Sequence, residues 1–312
     1  MAQTFDLQIQ STASDGKHTP TEIVSMARDL GIGVIAMTDH DTINGVAETL
    51  GAGARAGVRV IGGIEMSVED RGAHMLGFGV DHTHAVLLER LALFQQARVE
   101  GAKQMVRNLA AAGFAVTWED VERQASGTVA RPHIARAVLA RPENRESIGD
   151  IATSHDFIEK FLTDDSPYYV RRAHISAPDA IALIHTAGGV AVWSHPAIHF
   201  SGDQEGLEVF LKDLIGWGIE GMEVFSPAHT EDDAEFLHAL AGKYGILRTG
   251  GSDFHEKGDH HADARGLHAA RTLGDFETYG FPADDMVEKL DAALTASRGL
   301  RQKSGADILI DA

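Results

Sequence analysis

Val34-Ile35-Ala36-Met37-Thr38-Asp39-His40-Asp41-Thr42 decides how this chain is read. It opens on four uncharged apolar residues, which have the character of a strand buried on both faces. The run then stops on two carboxylates around an imidazole, and residues 43–56 continue with helical spacing. A strand that ends on polar groups and feeds a helix is the repeating unit of a β-α protein. In a barrel of such units the chemistry gathers at the carboxyl ends of the strands.

The same unit recurs on either side. Residues 5–10 read as a strand and 19–30 as an amphipathic helix, opened by Thr19-Pro20-Thr21-Glu22 and stopped by Gly31. Residues 58–67 and 73–80 read as a third and a fourth strand. Between about 84 and 172 the pattern changes: 86–112, 118–124, 133–139 and 156–161 are helical, with no convincing strand among them. Alternation returns with helices at 178–186, 207–217 and 230–244 and strands at 190–194, 221–224 and 247–250. The reading is an α/β protein with a parallel sheet, its barrel formed by 1–84 and 173–290. A helical insertion spans 85–172, and a tail covers 291–312.

Composition narrows the function. No apolar run approaches the roughly 20 residues that span a bilayer, so no transmembrane helix and no membrane partner are expected. The first residues lack a basic region followed by an apolar stretch, so no secretory leader is expected and the cytoplasm is the expected compartment. The chain has no cysteine, which rules out disulfides and thiolate metal sites. A formal charge of −19 disfavours grip on a DNA duplex, although a small anion can bind where a few cations make one pocket positive. His82, His84, His260 and His261 sit in polar stretches and read as solvated.

The polar residues fall at strand ends. Asp15 follows the first strand, Asp39-His40-Asp41 ends the second, Glu65 ends the third and His74 starts the fourth. His195 follows the strand ending at Ser194, and Asp253 and His255 follow the last. Taken singly, an Asp after a strand is a turn former or helix cap, and a lone His is a solvated or hydrogen-bonded side chain. Together these groups would be costly to bury against one another unpaired, and bound divalent cations remove that cost.

These segments resemble the PHP (polymerase and histidinol phosphatase) family. The pieces that carry the resemblance are Asp6-Leu7-Gln8-Ile9-Gln10-Ser11 with Ser14-Asp15-Gly16, Thr38-Asp39-His40-Asp41-Thr42, Gly63-Ile64-Glu65, His74-Met75-Leu76-Gly77, Ser194-His195-Pro196 and Gly250-Gly251-Ser252-Asp253-Phe254-His255. The resemblance implies a distorted seven-stranded β/α barrel, the PHP fold, with up to three divalent metals. Its ligands would be Asp15, His40, Glu65, His74, His195, Asp253 and His255. Where the family usually opens with a His-x-His pair, this chain has Gln8 and Gln10, both on one strand face. A glutamine carbonyl is a weaker ligand than imidazole for Mn²⁺, Fe²⁺ or Zn²⁺, the metals expected here. Asp15, His40 and His255 are grouped around one ion and Glu65, His74 and His195 around another, with the third metal weak or absent.

Within the insertion, Ala130-Arg131-Pro132-His133-Ile134-Ala135-Arg136 is similar to the branch of PHP phosphoesterases that acts on nucleotides. That branch removes the 3′-phosphate of nucleoside 3′,5′-bisphosphates, and some members trim short RNA from the 5′ end. The resemblance implies that Arg131, His133, His229 and Ser252 bind substrate and that His195, His229 and Asp253 take part in catalysis. Either His195 or His229 would assist the departing oxygen; Arg171 and Arg172 would add charge. Two alternatives are a histidinol-phosphate or other small phosphomonoester phosphatase, and a degenerate member that binds metal or nucleotide without turnover.

Overall fold

The structure is a computed structural model that describes residues 4–125, 129–163, 165–170, 175–200, 202–257 and 272–307. Arg171, Arg172, His260 and His261 lie outside the described residues. The chain divides into two compact units, Met1–Glu89 with Ile175–Ala312, and Arg90–His174.

The first unit is a seven-stranded sheet whose spatial order follows the sequence. Its strands are β1 (Phe5–Asp6), β2 (Val34–Met37), β3 (Arg59–Ser67), β4 (His74–Phe78), β5 (Val190–Ser194), β6 (Gly221–Phe225) and β7 (Leu247–Gly250). β2 shows why the sheet sits where it does. Val34 and Ala36 point to a core shared with Leu76, Phe78 and Val192, while Ile35 and Met37 join Ile23, Val24 and Ala52 of the covering helices. Alternate residues thus bury into two apolar layers, and the strand reads as one uninterrupted apolar run.

The sheet curls nearly closed. Beyond β1 the chain stays extended: Leu7 N donates to Gly250 O at 3.3 Å, and Gln10 N donates to Phe254 O at 2.9 Å. A parallel bridge joins Ile9 to Phe254. Gly251 is required at this seam, because a Cβ there would meet Gln8 N at 2.5 Å. The result is a distorted seven-stranded β/α barrel.

One strand departs from the parallel reading. β4 runs antiparallel to both β3 and β5, pairing Ser67 with His74 and His74 with Ser194. Six residues separate β3 from β4, too few for the dozen or so of a parallel crossover, so the chain must turn back as a hairpin. The reversal brings the start of β4, rather than its end, to the mouth formed by the carboxyl ends of the other strands. The 291–312 tail is also different: Met286–Asp307 is one helix, and its Leu290 and Leu294 bury in the barrel core.

The second unit is helical among its described residues, with Met105, Leu109, Val121, Ile134, Val138 and Phe157 in one apolar cluster. Asn144 ties it together by donating to Ala115 O and Val138 O and accepting from Ala115 N. No helix among the described residues is long and apolar enough to cross a membrane.

Candidate metal centre

Glu65, fully buried near the end of β3, is the hub of the mouth. Its Oε1 lies 2.9 Å from His74 Nδ1 and 3.1 Å from His195 Nε2, and those two nitrogens are 3.3 Å apart. Ser194 Oγ donates to the same oxygen at 3.0 Å. On the other oxygen, Oε2, Gln8 Nε2 and Gln10 Nε2 donate at 3.1 Å and 2.6 Å, with His40 Nε2 at 3.7 Å. Burial alone would raise the Glu65 pKa. The imidazoles of His40, His195 and His74 outweigh it and hold the carboxyl well below the usual range.

A second cluster shares His40. Asp15, His40 and His255 each offer one ligand atom, all within 4.8 Å of one another, and so do His40, Glu65 and His74. His255 Nε2 is 3.5 Å from Asp15 Oδ1, and His255 Nδ1 is bonded to Asp253 O at 2.7 Å. That bond fixes the tautomer and turns Nε2 toward the cluster. Burial depresses the His255 pKa, but the carboxylates of Asp15 and Asp253 win and bring it to about 9. Gly16 closes the Asp15 loop; a Cβ there would overlap Gln10 O. Asp253 Oδ1 lies 3.9 Å from His255 Nδ1, so all seven residues expected as ligands stand at one end of the barrel.

Backbone strain collects here. Asp41, His195 and Asp253 hold positive φ angles of 52°, 29° and 51°, sparsely populated conformations that neighbouring structure must impose. For Asp41 that structure is Ser67, whose N and Oγ donate to its carboxylate at 2.8 Å and 3.1 Å. For His195 it is Glu223, which accepts from the His195 N at 2.9 Å.

Glu223 belongs to a set of buried acids that sequence reasoning did not assign. Asp6 accepts from Gln8 N, Ser252 N, Ser252 Oγ and Gly274 N, and burial raises its pKa to about 6 against those donors. Asp39 accepts from Ser11 N, Ser11 Oγ and Ser14 Oγ. Burial, reinforced by the nearby Asp253 charge, pushes Glu223 well above the usual carboxylate range. Their signal was a carboxylate in an otherwise fully buried strand, as in β6. His199 was missed as well; its ring centroid is 5.5 Å from that of His195 and 6.0 Å from that of His74.

The remaining expected residues are placed as follows. Ser252 is fully buried and its hydroxyl donates to Asp6 Oδ2 at 2.6 Å, which makes it a fastener of the barrel seam. His229, beyond β6 and buried, has its Nδ1 bonded to Val224 O at 2.9 Å, so Nδ1 carries the N–H of the neutral ring and Nε2 is the atom that takes up or gives a proton. Arg131 and His133 belong to the helical unit. There Arg131 donates to Leu162 O at 3.3 Å and lies 5.7 Å from the Tyr169 ring centroid, and His133 Nδ1 accepts from Ala130 N at 2.9 Å.

The donor set fits divalent cations. Ligands about 2.0–2.2 Å from a common ion lie about 3–3.5 Å from one another, the spacing found among Glu65, His74 and His195. Several buried atoms at this end, including His40 Nδ1, His195 Nδ1 and Asp253 Oδ1, have no hydrogen-bond partner among the described residues. So many unmet polar atoms in one place are expensive unless an ion joins them.

Comparison with known proteins agrees. A PHP domain model matches residues 6–117. A 5′-3′ exoribonuclease of Haemophilus influenzae is 32% identical over 257 residues, covering 82% of this chain and 91% of the relative. A 3′,5′-nucleoside bisphosphate phosphatase of Chromobacterium violaceum is 33% identical over 259 residues, covering 82% and 88%. Among solved structures, an amidohydrolase of Chromobacterium violaceum with bound sulfate and no metal superposes with a TM-score of 0.75 at 30% identity, over 93% of this chain and 96% of that one. A Bifidobacterium adolescentis chain assigned as a metal-dependent phosphoesterase gives 0.72 at 31% identity, over 86% and 93%. Fold, mouth and relatives converge, and the chain belongs to the PHP domain family.

Proposed function

We propose that this chain hydrolyses the 3′-phosphate of nucleoside 3′,5′-bisphosphates. The general class, metal-dependent hydrolysis of phosphoric esters, rests on the family and on the ligand-spaced cluster at the mouth. The observation that carries the substrate is the 33% identity to a bisphosphate phosphatase across 88% of that relative. The chain's net charge of −19 also suits a mononucleotide better than a long polyanion.

Divalent cations, when bound, make water a better nucleophile at neutral pH and offset charge on the phosphoryl oxygens. Asp15, His40, Glu65, His74, His195, Asp253 and His255 would hold them, and Mn²⁺, Fe²⁺ or Zn²⁺ suits this mixture of imidazole and carboxylate. Water attacks phosphorus, the bond to the ribose 3′-oxygen breaks, and that oxygen takes up a proton. His229 is assigned the proton, because its Nδ1 is held by Val224 O and its acid–base atom is Nε2. His195 is left to the ion, since its Nε2 sits 3.1 Å from Glu65 Oε1. Arg131 is assigned a phosphate of the nucleotide, for which a planar guanidinium is suited.

Relatives named 5′-3′ exoribonucleases support a second reading, in which the chain trims short RNA from its 5′ end. One assay series decides. Purified, Mn²⁺-loaded protein is given adenosine 3′,5′-bisphosphate, histidinol phosphate and a 5′-phosphorylated RNA hexamer. Phosphate release from the bisphosphate at a kcat/KM at least tenfold above the others supports the proposal. Preference for the hexamer transfers the assignment to RNA, and preference for histidinol phosphate overturns both.

A further inference from the structure

We infer that Gln8 and Gln10 are positioning residues whose amide groups take the place of a cation beside Glu65, so that this mouth holds two ions and Glu65 binds through one oxygen. The inference deepens the reading of the mouth as a divalent-cation centre and rests on it.

Charge fixes which end of each amide faces the carboxylate. Gln8 and Gln10 are fully buried, and each brings its side-chain amide to Glu65 Oε2, at 3.1 Å and 2.6 Å. A carboxylate attracts N–H and repels a carbonyl oxygen, so the nitrogens must face Glu65. Both hydrogens of Gln8 Nε2 are used, the second on Ser194 Oγ at 2.9 Å. Gln10 Oε1 lies 3.3 Å from Ser14 Oγ, whose single hydroxyl proton goes to buried Asp39 at 2.8 Å. Turning Gln10 over to offer its carbonyl to a cation would lose the 2.6 Å bond to Glu65 Oε2 and set oxygen against oxygen there.

The consequence falls on Glu65. Its two oxygens have different partners: Oε1 faces His74, His195 and Ser194, while Oε2 is covered by two amides. A cation approaching Oε2 from the first strand would displace N–H donors that already neutralise part of the charge, and would receive only neutral oxygen in return. Imidazoles at positions 8 and 10 would reverse that balance, offering lone pairs where the amides offer hydrogens. Gln8 Oε1 is buried with no hydrogen-bond partner among the described residues, and it is the atom at which a third ion would have to appear.

The test counts ions independently of turnover. The full-length protein is dialysed against excess Mn²⁺ and then metal-free buffer, its metal measured by inductively coupled plasma mass spectrometry, and the ions located by anomalous scattering. Two ions per chain, with no anomalous peak within bonding distance of Gln8 or Gln10, is the expected result. The double variant Gln8→His, Gln10→His should rise to three. Three ions in the wild-type chain, with one on Gln8 Oε1, overturns this inference and leaves the hydrolase reading intact. No ions at all overturns the metal centre itself. A folded double variant that stays at two overturns the assignment of the third place to these residues. If that variant does not fold, the wild-type count and peak positions still decide.

Discussion

Replacing Asp6 by Asn tests how the barrel seam is held. The carboxylate is buried at the end of β1 and accepts four hydrogen bonds, from Gln8 N, Ser252 N, Ser252 Oγ and Gly274 N. It thereby fastens the first strand to the loop that carries Asp253 and His255. Asparagine has the same shape but one acceptor oxygen. With that oxygen on Gln8 N and Ser252 N, the new NH₂ can donate to the Ser252 hydroxyl, and Gly274 N is left without an acceptor. Gly274 is exposed, so water can take up that donor, and the variant should lose little stability where Asp6 is protonated. Burial raises the Asp6 pKa from 3.8 to about 6, so the folded state holds the proton more tightly than the unfolded chain. Stability contributed by this group is complete below the unfolded value and is lost as pH rises through the folded one, by about 3 kcal/mol in all. Urea unfolding of metal-free wild type and Asp6→Asn between pH 4.5 and 7.5 gives the difference directly. The stability of wild type relative to the variant should fall by about 2 kcal/mol across that range, the rest of the loss lying below pH 4.5. A difference that stays flat, or grows with pH, would show that the four donors outweigh burial and would refute the reasoning.

Three further outcomes are expected. Because a ligating imidazole must be neutral and the His255 pKa is about 9 in the metal-free protein, a proton competes with the ion at the Asp15, His40 and His255 cluster. Apparent Mn²⁺ affinity there should fall about tenfold for each pH unit below 9, read by calorimetric titration with proton release; a pH-independent affinity would exclude His255 as a ligand. Glu65→Gln removes the charge that gathers His40, His74 and His195, so the count of tightly held ions should drop by at least one with loss of turnover. An unchanged count would place the centre elsewhere. Arg131→Ala should raise KM for adenosine 3′,5′-bisphosphate at least tenfold while kcat changes little, and a loss confined to kcat would contradict a substrate-binding role.

Much of this barrel could be read from local pattern, because burial on both faces of a strand writes an apolar run and its end writes a polar stop. β5 and β7 begin and end where the pattern puts them, at Val190–Ser194 and Leu247–Gly250. The direction of β4 was less visible, since apolar spacing is the same whichever way a strand runs; only the short link after Ser67 carries that information. The helix Met286–Asp307 escaped because its sequence is mostly polar and just a few residues, Leu290 and Leu294 among them, reach the core. Side-chain roles were hidden for a different reason. Whether Gln10 donates or coordinates depends on Glu65, which lies 55 positions away, and what Glu223 does depends on the His195 amide, 28 positions away.

That dependence on distant partners explains why the mouth is both strained and acidic. Asp39, Glu223 and Asp253 all have raised pKa values, in each case first because of burial, so in the metal-free chain ionising these carboxyls is costly. His195 and Asp253 are at the same time held at positive φ. A protein selected for stability alone would replace such groups with apolar residues of similar size. Bound divalent cations would turn mutual repulsion among carboxylates into shared attraction and give Asp253 Oδ1 a positively charged partner. The arrangement therefore makes physical sense as a site whose ions would be part of its folded structure.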